Sequence, residues 1–354
     1  MRIVFDNIVF SLQKSGGISV VWYELAKRIL KEKDVSIQFI DNNEFVNPYR
    51  QLLNLEGLLL QKDTLPAVSR YLTVDVSSSK PFIFHSSYYR YCSNPKAINI
   101  TTVHDFTYEY YRGGIAKWIH CWQKNRAIMH SKRIVCISEH TKKDLIKFLP
   151  SVDESKIRVI YNGVSEEYFV LESNKGQGEL PFAKGTYLVY VGSRTGYKNF
   201  ELVKKTLGSS DYNLVIVGSN LTDIEESGLQ KYLPKERYYA TGFLPNKKLN
   251  ILYNNAAALV YPSAYEGFGI PIVEAQKAGC PVIALSSSSI PEVIGETPLL
   301  MKEATENELL QKIKLLSDKQ LMDKVIDDGL NNSKRFSWDK MCYEYIKLYK
   351  EALE

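Results

Sequence analysis

ALVYPSAYEGFGIPIVEAQKAGCPVIAL, residues 258–285, holds two short apolar runs separated by a glycine-containing turn and a stretch of helical character. ALVYPS (258–263) reads as a buried strand and PVIAL (281–285) as a second one. Between them Gly267 and Gly269 form a turn, and Pro271 falls in the first helical turn, where its missing N–H costs nothing. Strand, helix and strand in this order form a right-handed crossover, so the two strands run parallel in one sheet.

The same plan extends outward in both directions. Strands are expected at RIVFDN (2–7), VSIQFID (35–41), PFIFHSS (81–87), AINITTVHD (97–105), RIVCIS (133–138) and IRVIYNGV (157–164). Amphipathic segments lie between several of them, including SVVWYELAKRILKE (19–32) and EHTKKDLIKFL (139–149). The alternation breaks in the polar stretch 165–185, which reads as an interdomain linker. It resumes at TYLVYVGS (186–193), NLVIVGS (213–219), YYATGF (238–243) and the segment quoted above. Strands alternating with helices imply parallel sheets covered on both faces. The expected architecture is therefore α/β, with two doubly wound Rossmann-like domains, residues 1–165 and 166–335, facing a cleft. At about 150 residues per domain, a chain of 354 residues agrees with two. Ligands of such sheets bind where loops leave the carboxyl ends of the strands.

Composition narrows the classes. The five cysteines, Cys92, Cys121, Cys136, Cys280 and Cys342, include no C-x-x-C pair. They read as reduced thiols in a cytosolic protein, not as a disulfide framework or zinc site. MRIVFDNIVF at the start is interrupted by Asp6 and Asn7 and does not read as a secretory signal. No apolar run is long enough to span a bilayer. Residues 1–165 carry 23 Lys/Arg against 15 Asp/Glu, a balance of +8; the remainder carries 22 against 25, or −3. A basic first half favours an anionic partner, such as an anionic lipid surface or a phosphate-bearing acceptor, and equally fits ordinary solvated lysines.

Several constellations carry chemistry. In the 258–285 segment, Gly267 and Gly269 let the backbone approach a ligand closely. The N–H groups near Phe268, Gly269 and Ile270 then form a helix start of the kind that attracts phosphate. Glu266 in the loop and Glu274 in the helix are acceptor-only carboxylates suited to hydroxyl-rich ligands. Taken singly, each has a plain alternative: Glu266 caps the turn and Glu274 complements the helix dipole. YVGSRTGYKNF (190–200) places Arg194 and Lys198 after a strand, where two cations can clamp a diphosphate. KSGGISVVWYEL (14–25) is a Gly-Gly turn opening a helix after the first strand, a pattern that is often just a turn. It is not a G-x-G-x-x-G fingerprint, which speaks against a dinucleotide cofactor. His104 and Asp105 end a strand; His104 suits a sugar or phosphate contact and Asp105 a turn cap. Phe243 and Leu244 follow another strand and could flank a nucleobase or simply pack.

Together these stretches resemble the retaining glycosyltransferases of family 4, glycosyl transferases group 1, which have the GT-B fold. EGFGIPIVE (266–274) looks like their Glu-x7-Glu motif, and the likeness runs from Gly16 to the last helix, 336–354, which in that fold crosses back onto the N-terminal domain. The resemblance implies that Glu266 contacts hydroxyls of a donor sugar. It gives the backbone of Gly267 to Ile270 to sugar and phosphate oxygens, and Glu274 to the ribose. Gly17 would border the diphosphate, His104 would contact the sugar, and Lys198 with Arg194 would hold the phosphates. Arg194 departs from the family pattern, in which an arginine often follows the glycine directly, where this chain has Ser193. The implied reaction is transfer of a sugar, with retention and without a metal or other cofactor. It runs from a UDP- or GDP-sugar in the second domain to a glycan or lipid-linked acceptor on the first, in bacterial surface polysaccharide synthesis. No Asp-x-Asp or histidine cluster of ligand type is present in the sequence. A nucleotide-sugar epimerase and a non-catalytic nucleotide-sugar-binding protein are the alternatives on the same fold. No nucleic-acid partner is expected, and the oligomeric state is open. KWIHCWQKNRAIMHSKR (117–133) mixes tryptophans with cations and reads as a core helix with a solvated face or as a peripheral membrane contact on the inner face of the cell membrane.

Overall fold

The computed structural model describes residues 1–14, 16–42, 45–63, 66–172 and 180–354. The chain divides into two compact units, Met1–Gly163 with Ser337–Glu354, and Val164–Phe336. Part of the expected linker, residues 173–179, lies outside the described residues.

The first unit is built on seven parallel strands: β1 (Arg2–Asp6), β2 (Ser36–Asn42), β3 (Leu59–Asp63), β4 (Phe82–Ser86), β5 (Ala97–Val103), β6 (Arg133–Cys136) and β7 (Ile157–Val159). Their order in the sheet is β3-β2-β1-β4-β5-β6-β7. The second unit has six: β8 (Tyr187–Val191), β9 (Asn213–Val217), β10 (Tyr238–Gly242), β11 (Ala258–Tyr261), β12 (Val282–Leu285) and β13 (Leu300–Met301). They are ordered β10-β9-β8-β11-β12-β13. Both are the doubly wound order, in which the chain reverses direction across the sheet between the first and fourth strands. β3 and β13 were not expected from the sequence. β3, LLQKD, ends in polar residues, and β13 is two residues long, below the length at which alternation can be recognised.

The central strands are buried on both faces, because helices cover both. Leu188, Tyr190, Leu214, Ile216, Val260 and Ile283 pack with Val203, Leu207, Leu229 and Leu309 from the covering helices. Burying such side chains contributes about 1.5–3 kcal/mol each. The last helix, Trp338–Leu353, belongs to the first unit. Its Tyr349 hydroxyl meets His85 Nδ1 at 2.6 Å, and its Tyr345 hydroxyl meets Thr102 Oγ1 at 2.9 Å. Gly163 is where the chain passes the start of that helix. A Cβ there would stand 2.2 Å from the Trp338 backbone nitrogen, a distance only glycine avoids.

Candidate active site

The β8–β11 junction is the switch point of the second sheet, and two loops leave its carboxyl edge side by side. They are joined through backbone. The Ala264 N–H donates to the Tyr197 carbonyl at 2.8 Å, and Asn199 Nδ2 donates to the Pro262 carbonyl at 2.8 Å. Asn199 adopts φ 52°, a left-handed conformation that asparagine tolerates better than most residues. These links bring Lys198 and Glu266 together: Lys198 Nζ lies 2.5 Å from Glu266 Oε1. The ammonium also sits over the rings of Tyr197 and Tyr261, at 5.3 and 5.6 Å from their centroids. Both side chains of the pair are partly open, 14% and 11% exposed, so each charge is fixed in place yet reachable.

The loop bearing Glu266 is held from below by the serines that follow β12. The Glu266 N–H donates to Ser288 Oγ at 2.8 Å. Ser289 Oγ reaches both the Glu266 carbonyl at 2.9 Å and the Phe268 carbonyl at 3.2 Å, and Ser287 Oγ donates to the Ser263 carbonyl at 2.7 Å. Ser288 has φ 48°, a strained conformation for serine that aims its hydroxyl at the loop. Sequence reasoning missed this run; its partners lie some twenty residues earlier and only the fold supplies them.

Glu266 leads into the helix Ile270–Lys277. Gly269 enters it at φ 96°, which disfavours any residue with a Cβ, and Pro271 stands in the first turn. The helix closes in a Schellman arrangement around Gly279 at φ 72°. The Cys280 N–H donates to the Ala275 carbonyl at 2.9 Å, and the Gly279 N–H to the Gln276 carbonyl at 3.0 Å. A short helix fixed at both ends holds the N–H groups at its start in place. Gly267 and Ile270 flank that start, while the Phe268 ring turns inward against Phe336, centroids 5.4 Å apart. Phe268 therefore has only its backbone to offer a ligand.

Glu274 lies on the same helix with its carboxyl beside the hydroxyls of Tyr168 and Tyr253. Burial pushes its pKa up to about 7, and the two hydroxyls oppose that rise. Arg194 is placed differently from Lys198. Its guanidinium meets Glu225 at 2.7 and 3.1 Å and donates to the Ser219 and Asn220 carbonyls at 3.0 and 2.9 Å. The Arg194 bonds, with help from Thr222, hold the Glu225 carboxyl down to about 2 against its burial. Arg194 thus straps the loop after β8 to the loop after β9, and the structure does not join it to the Lys198–Glu266 pair. At the end of β10, Phe243 is 70% exposed, an open aromatic face, and Leu244 beside it is half-buried.

Gly17 and His104 belong to the first unit. Gly17 begins the helix Gly17–Ile29, and the Ser19 hydroxyl donates back to the Gly16 carbonyl at 2.8 Å. His104 follows β5 and lines a small cavity with Trp22, His85 and Ser86. Burial lowers its pKa to about 4 against the opposing charge of Asp105, so the ring is neutral at neutral pH. Asp105 accepts the Thr107 N–H at 3.0 Å and caps the turn, as its position suggested. The switch point of this sheet, between β1 and β4, is filled from within. Asp6 accepts from Ser86 Oγ at 2.7 Å and from Arg90 at 3.2 Å, and the side chains of Asp6 and Arg90 are 0% and 3% exposed. The equivalent point in the second sheet carries the reachable Lys198–Glu266 pair.

Among the described residues no group of three or more His, Cys, Asp or Glu side chains could hold a metal ion. No helix among them is long and apolar enough to cross a membrane.

Comparison with known proteins gives a family. Residues 15–168 match the model of Glycosyltransferase Family 4, and residues 172–331 match that of Glycosyl transferases group 1. The O-antigen chain mannosyltransferase RfbU of Salmonella typhimurium is 32% identical over 246 residues, covering 68% of this chain and 66% of that protein. The chain spans about two thirds or less of the length of the curated relatives it matches. Among solved structures, sucrose-phosphate synthase from Thermosynechococcus elongatus superposes with a TM-score of 0.75 at 16% identity, covering 99% of this chain and 98% of that one. Anabaena HepE in complex with UDP-glucose superposes with a TM-score of 0.73 at 15% identity, covering 98% of each chain. Two family models that together run nearly end to end, the doubly wound order of both sheets and the Glu266–Glu274 segment at the switch point of the second agree: the chain belongs to glycosyltransferase family 4, the glycosyl transferases group 1, and has the GT-B fold.

Proposed function

We propose that the chain is a retaining glycosyltransferase. It moves a sugar from a UDP- or GDP-sugar to a hydroxyl of a glycan or lipid-linked oligosaccharide, in the synthesis of a bacterial surface polysaccharide on the inner face of the membrane. The observation that carries this reading is the Lys198–Glu266 pair, held at the switch point of the second sheet beside a helix start. Similarity to an O-antigen mannosyltransferase supports the polysaccharide assignment. The second unit, Val164–Phe336, binds the donor and the first unit the acceptor.

In this reading the Lys198 ammonium neutralises the diphosphate and the charge that grows on it as the sugar leaves. Backbone N–H groups of Gly267 to Ile270 hold sugar and phosphate oxygens. Glu266 accepts from sugar hydroxyls and Glu274 from the ribose. Phe243 offers its exposed ring to the base, with Leu244 beside it. Arg194 acts indirectly, by holding the loop that carries Lys198. Gly17 and His104 act on the donor from the first unit, His104 as a neutral hydrogen-bonding ring. The acceptor oxygen bonds to the anomeric carbon as the bond from that carbon to phosphate oxygen breaks. The acceptor proton passes to the departing diphosphate. No metal ion takes part, so transfer should survive chelation of divalent cations.

The test is transfer from a panel of UDP- and GDP-sugars, with the product anomer read by NMR. Lys198→Ala and Glu266→Ala should each reduce transfer about 100-fold or more while the protein stays folded. Near-wild-type transfer by both variants would sink the assignment, and an inverted product would sink the retaining mechanism.

A further inference from the structure

The helix Gly114–Met129 in the first unit presents an apolar stripe that no other described residue covers. Ile115, Trp118, Trp122 and Met129 are 77%, 68%, 43% and 50% exposed. At about 100° per residue they fall within an arc of roughly 60° on one side of the helix. The opposite side is the packed one: His120, Gln123, Lys124, Ala127 and Ile128 are buried there. Ile128, in the same sequence stretch as the tryptophans, thus belongs to the core and not to the stripe. Leu72, 57% exposed, follows Tyr71, whose carbonyl accepts from Arg126 of the same helix at 3.3 Å, so the apolar surface continues past the helix.

Charge separates this face from an ordinary patch. From Tyr110 to Ser138 there is no Asp or Glu, while Arg112, Lys117, Lys124, Arg126, Lys132 and Arg133 are all cationic. Lys124 is spent inside, 2.6 Å from Glu109, Lys117 donates to the Glu109 carbonyl and Lys132 to the Ala352 carbonyl, which leaves Arg126 and the exposed Arg112, three residues before Ile115, beside the stripe. Arg126 lies over the Trp122 ring at 5.1 Å, a cation and an indole presented together. Tryptophan beside arginine on one exposed helical face suits the boundary between lipid headgroups and acyl chains. A protein partner would need matching acids on its own surface, whereas an anionic bilayer supplies negative charge and apolar depth at once.

We propose that the Ile115–Met129 face docks on the surface of an anionic bilayer. This deepens the lipid-linked acceptor of the proposed function and rests on that reading for its purpose, but its measurement is separate. Of the chain's four tryptophans, Trp22 and Trp338 are buried at 4% and 3% exposure, so the solvent-exposed part of the emission belongs to Trp118 and Trp122. The full chain is titrated with vesicles of phosphatidylethanolamine and phosphatidylglycerol, and with vesicles of phosphatidylcholine alone. Binding is followed by co-sedimentation and by tryptophan emission.

Binding to the anionic vesicles with a blue shift, weakened by added salt, is expected. Trp118→Ser with Trp122→Ser should weaken it roughly tenfold or more. Arg112→Gln should weaken it about fivefold. Equal binding to both vesicle types, or undiminished binding by the tryptophan variant, would overturn the proposal. So would a dimer in sedimentation that the tryptophan variant abolishes without vesicle binding by the wild type, which would assign the face to a second copy. Transfer to a water-soluble acceptor is measured on the same preparations. A vesicle result that fails while transfer persists removes the docking face alone; lost transfer with intact docking removes the donor-site reading alone.

Discussion

Replacing Glu274 by Gln should raise the stability of the empty protein at neutral and higher pH, and the sign follows from burial. The carboxyl has a pKa of about 7 in the folded protein against 4.5 as its ordinary value, chiefly because burial penalises its charge. Below pH 4.5 both folded and unfolded chains hold the proton and the group contributes nothing. Between 4.5 and 7 the unfolded chain releases it while the folded chain keeps it, so stability falls as pH rises. Above 7 the full cost is present, on the order of 3 kcal/mol at about 1.4 kcal/mol per pH unit. Gln fills nearly the same volume and never ionises. Its advantage over the wild type should grow from near zero at about pH 4 to a few kcal/mol at about pH 8, less what the buried amide itself costs.

Urea unfolding of both proteins across that range measures the difference, with an unchanged m-value as the check that only stability moved. The competing role makes the opposite forecast. If Glu274 served only to complement the positive end of its helix, the charge would be stabilising and Gln would be the weaker protein at high pH. A Gln variant that loses stability as pH rises would therefore refute the burial reasoning. Ligand binding supplies the other half. Ribose hydroxyls donating to the carboxylate favour its charged form, so nucleotide affinity should rise as pH passes through about 7. The Gln variant should lose both affinity and slope. A group that costs stability in the empty protein and recovers it on binding is one retained for its ligand.

Three further outcomes can be checked. Ser289→Ala leaves the Glu266 and Phe268 carbonyls without their shared donor; it should cost about 1–3 kcal/mol in thermal unfolding and weaken nucleotide binding by calorimetry, although neither charged residue is touched. Burial lowers His85, His104 and His120 to about 3, 4 and 4, so the stability of the first unit should be complete above their ordinary 6.5 and be lost as pH falls toward 4; melting curves flat over that range would contradict this. Arg194→Met removes the strap to Glu225, which is partly exposed and screened, so thermal unfolding should show a loss of about 1 kcal/mol or less. Its transfer rate should fall far less than that of Lys198→Ala, and an equal fall would return Arg194 to the phosphates.

What the sequence made legible divides along one physical line. Local signals sufficed where the chain decides its own structure. Gly269 and Pro271 announce the helix start, and alternation locates the longer strands. They did not suffice where the partner comes from far along the chain. Nothing near Ser287–Ser289 says that these hydroxyls hold a loop some twenty residues earlier. Thr222 and Glu225 form a capping box in the structure, and nothing near them in the sequence marks Glu225 as the anchor of Arg194, 31 residues away.

The Lys198–Glu266 pair stands between these cases. The two residues are 68 positions apart and sit in loops that read separately as candidate sites. They become neighbours because a doubly wound sheet places its first and fourth strands side by side, here β8 and β11. The same order in the first sheet sets β1 beside β4, and there Asp6, Ser86 and Arg90 close the junction with buried bonds of their own. One topology thus offers two junctions, and the side chains at them decide which can receive a ligand. A guanidinium and a carboxylate both closed to solvent are out of a diphosphate's reach, whereas an ammonium and a carboxylate both reachable from solvent beside a helix start are not. That difference, and not the resemblance between the two sheets, is what the proposed placement of the donor in the second unit rests on.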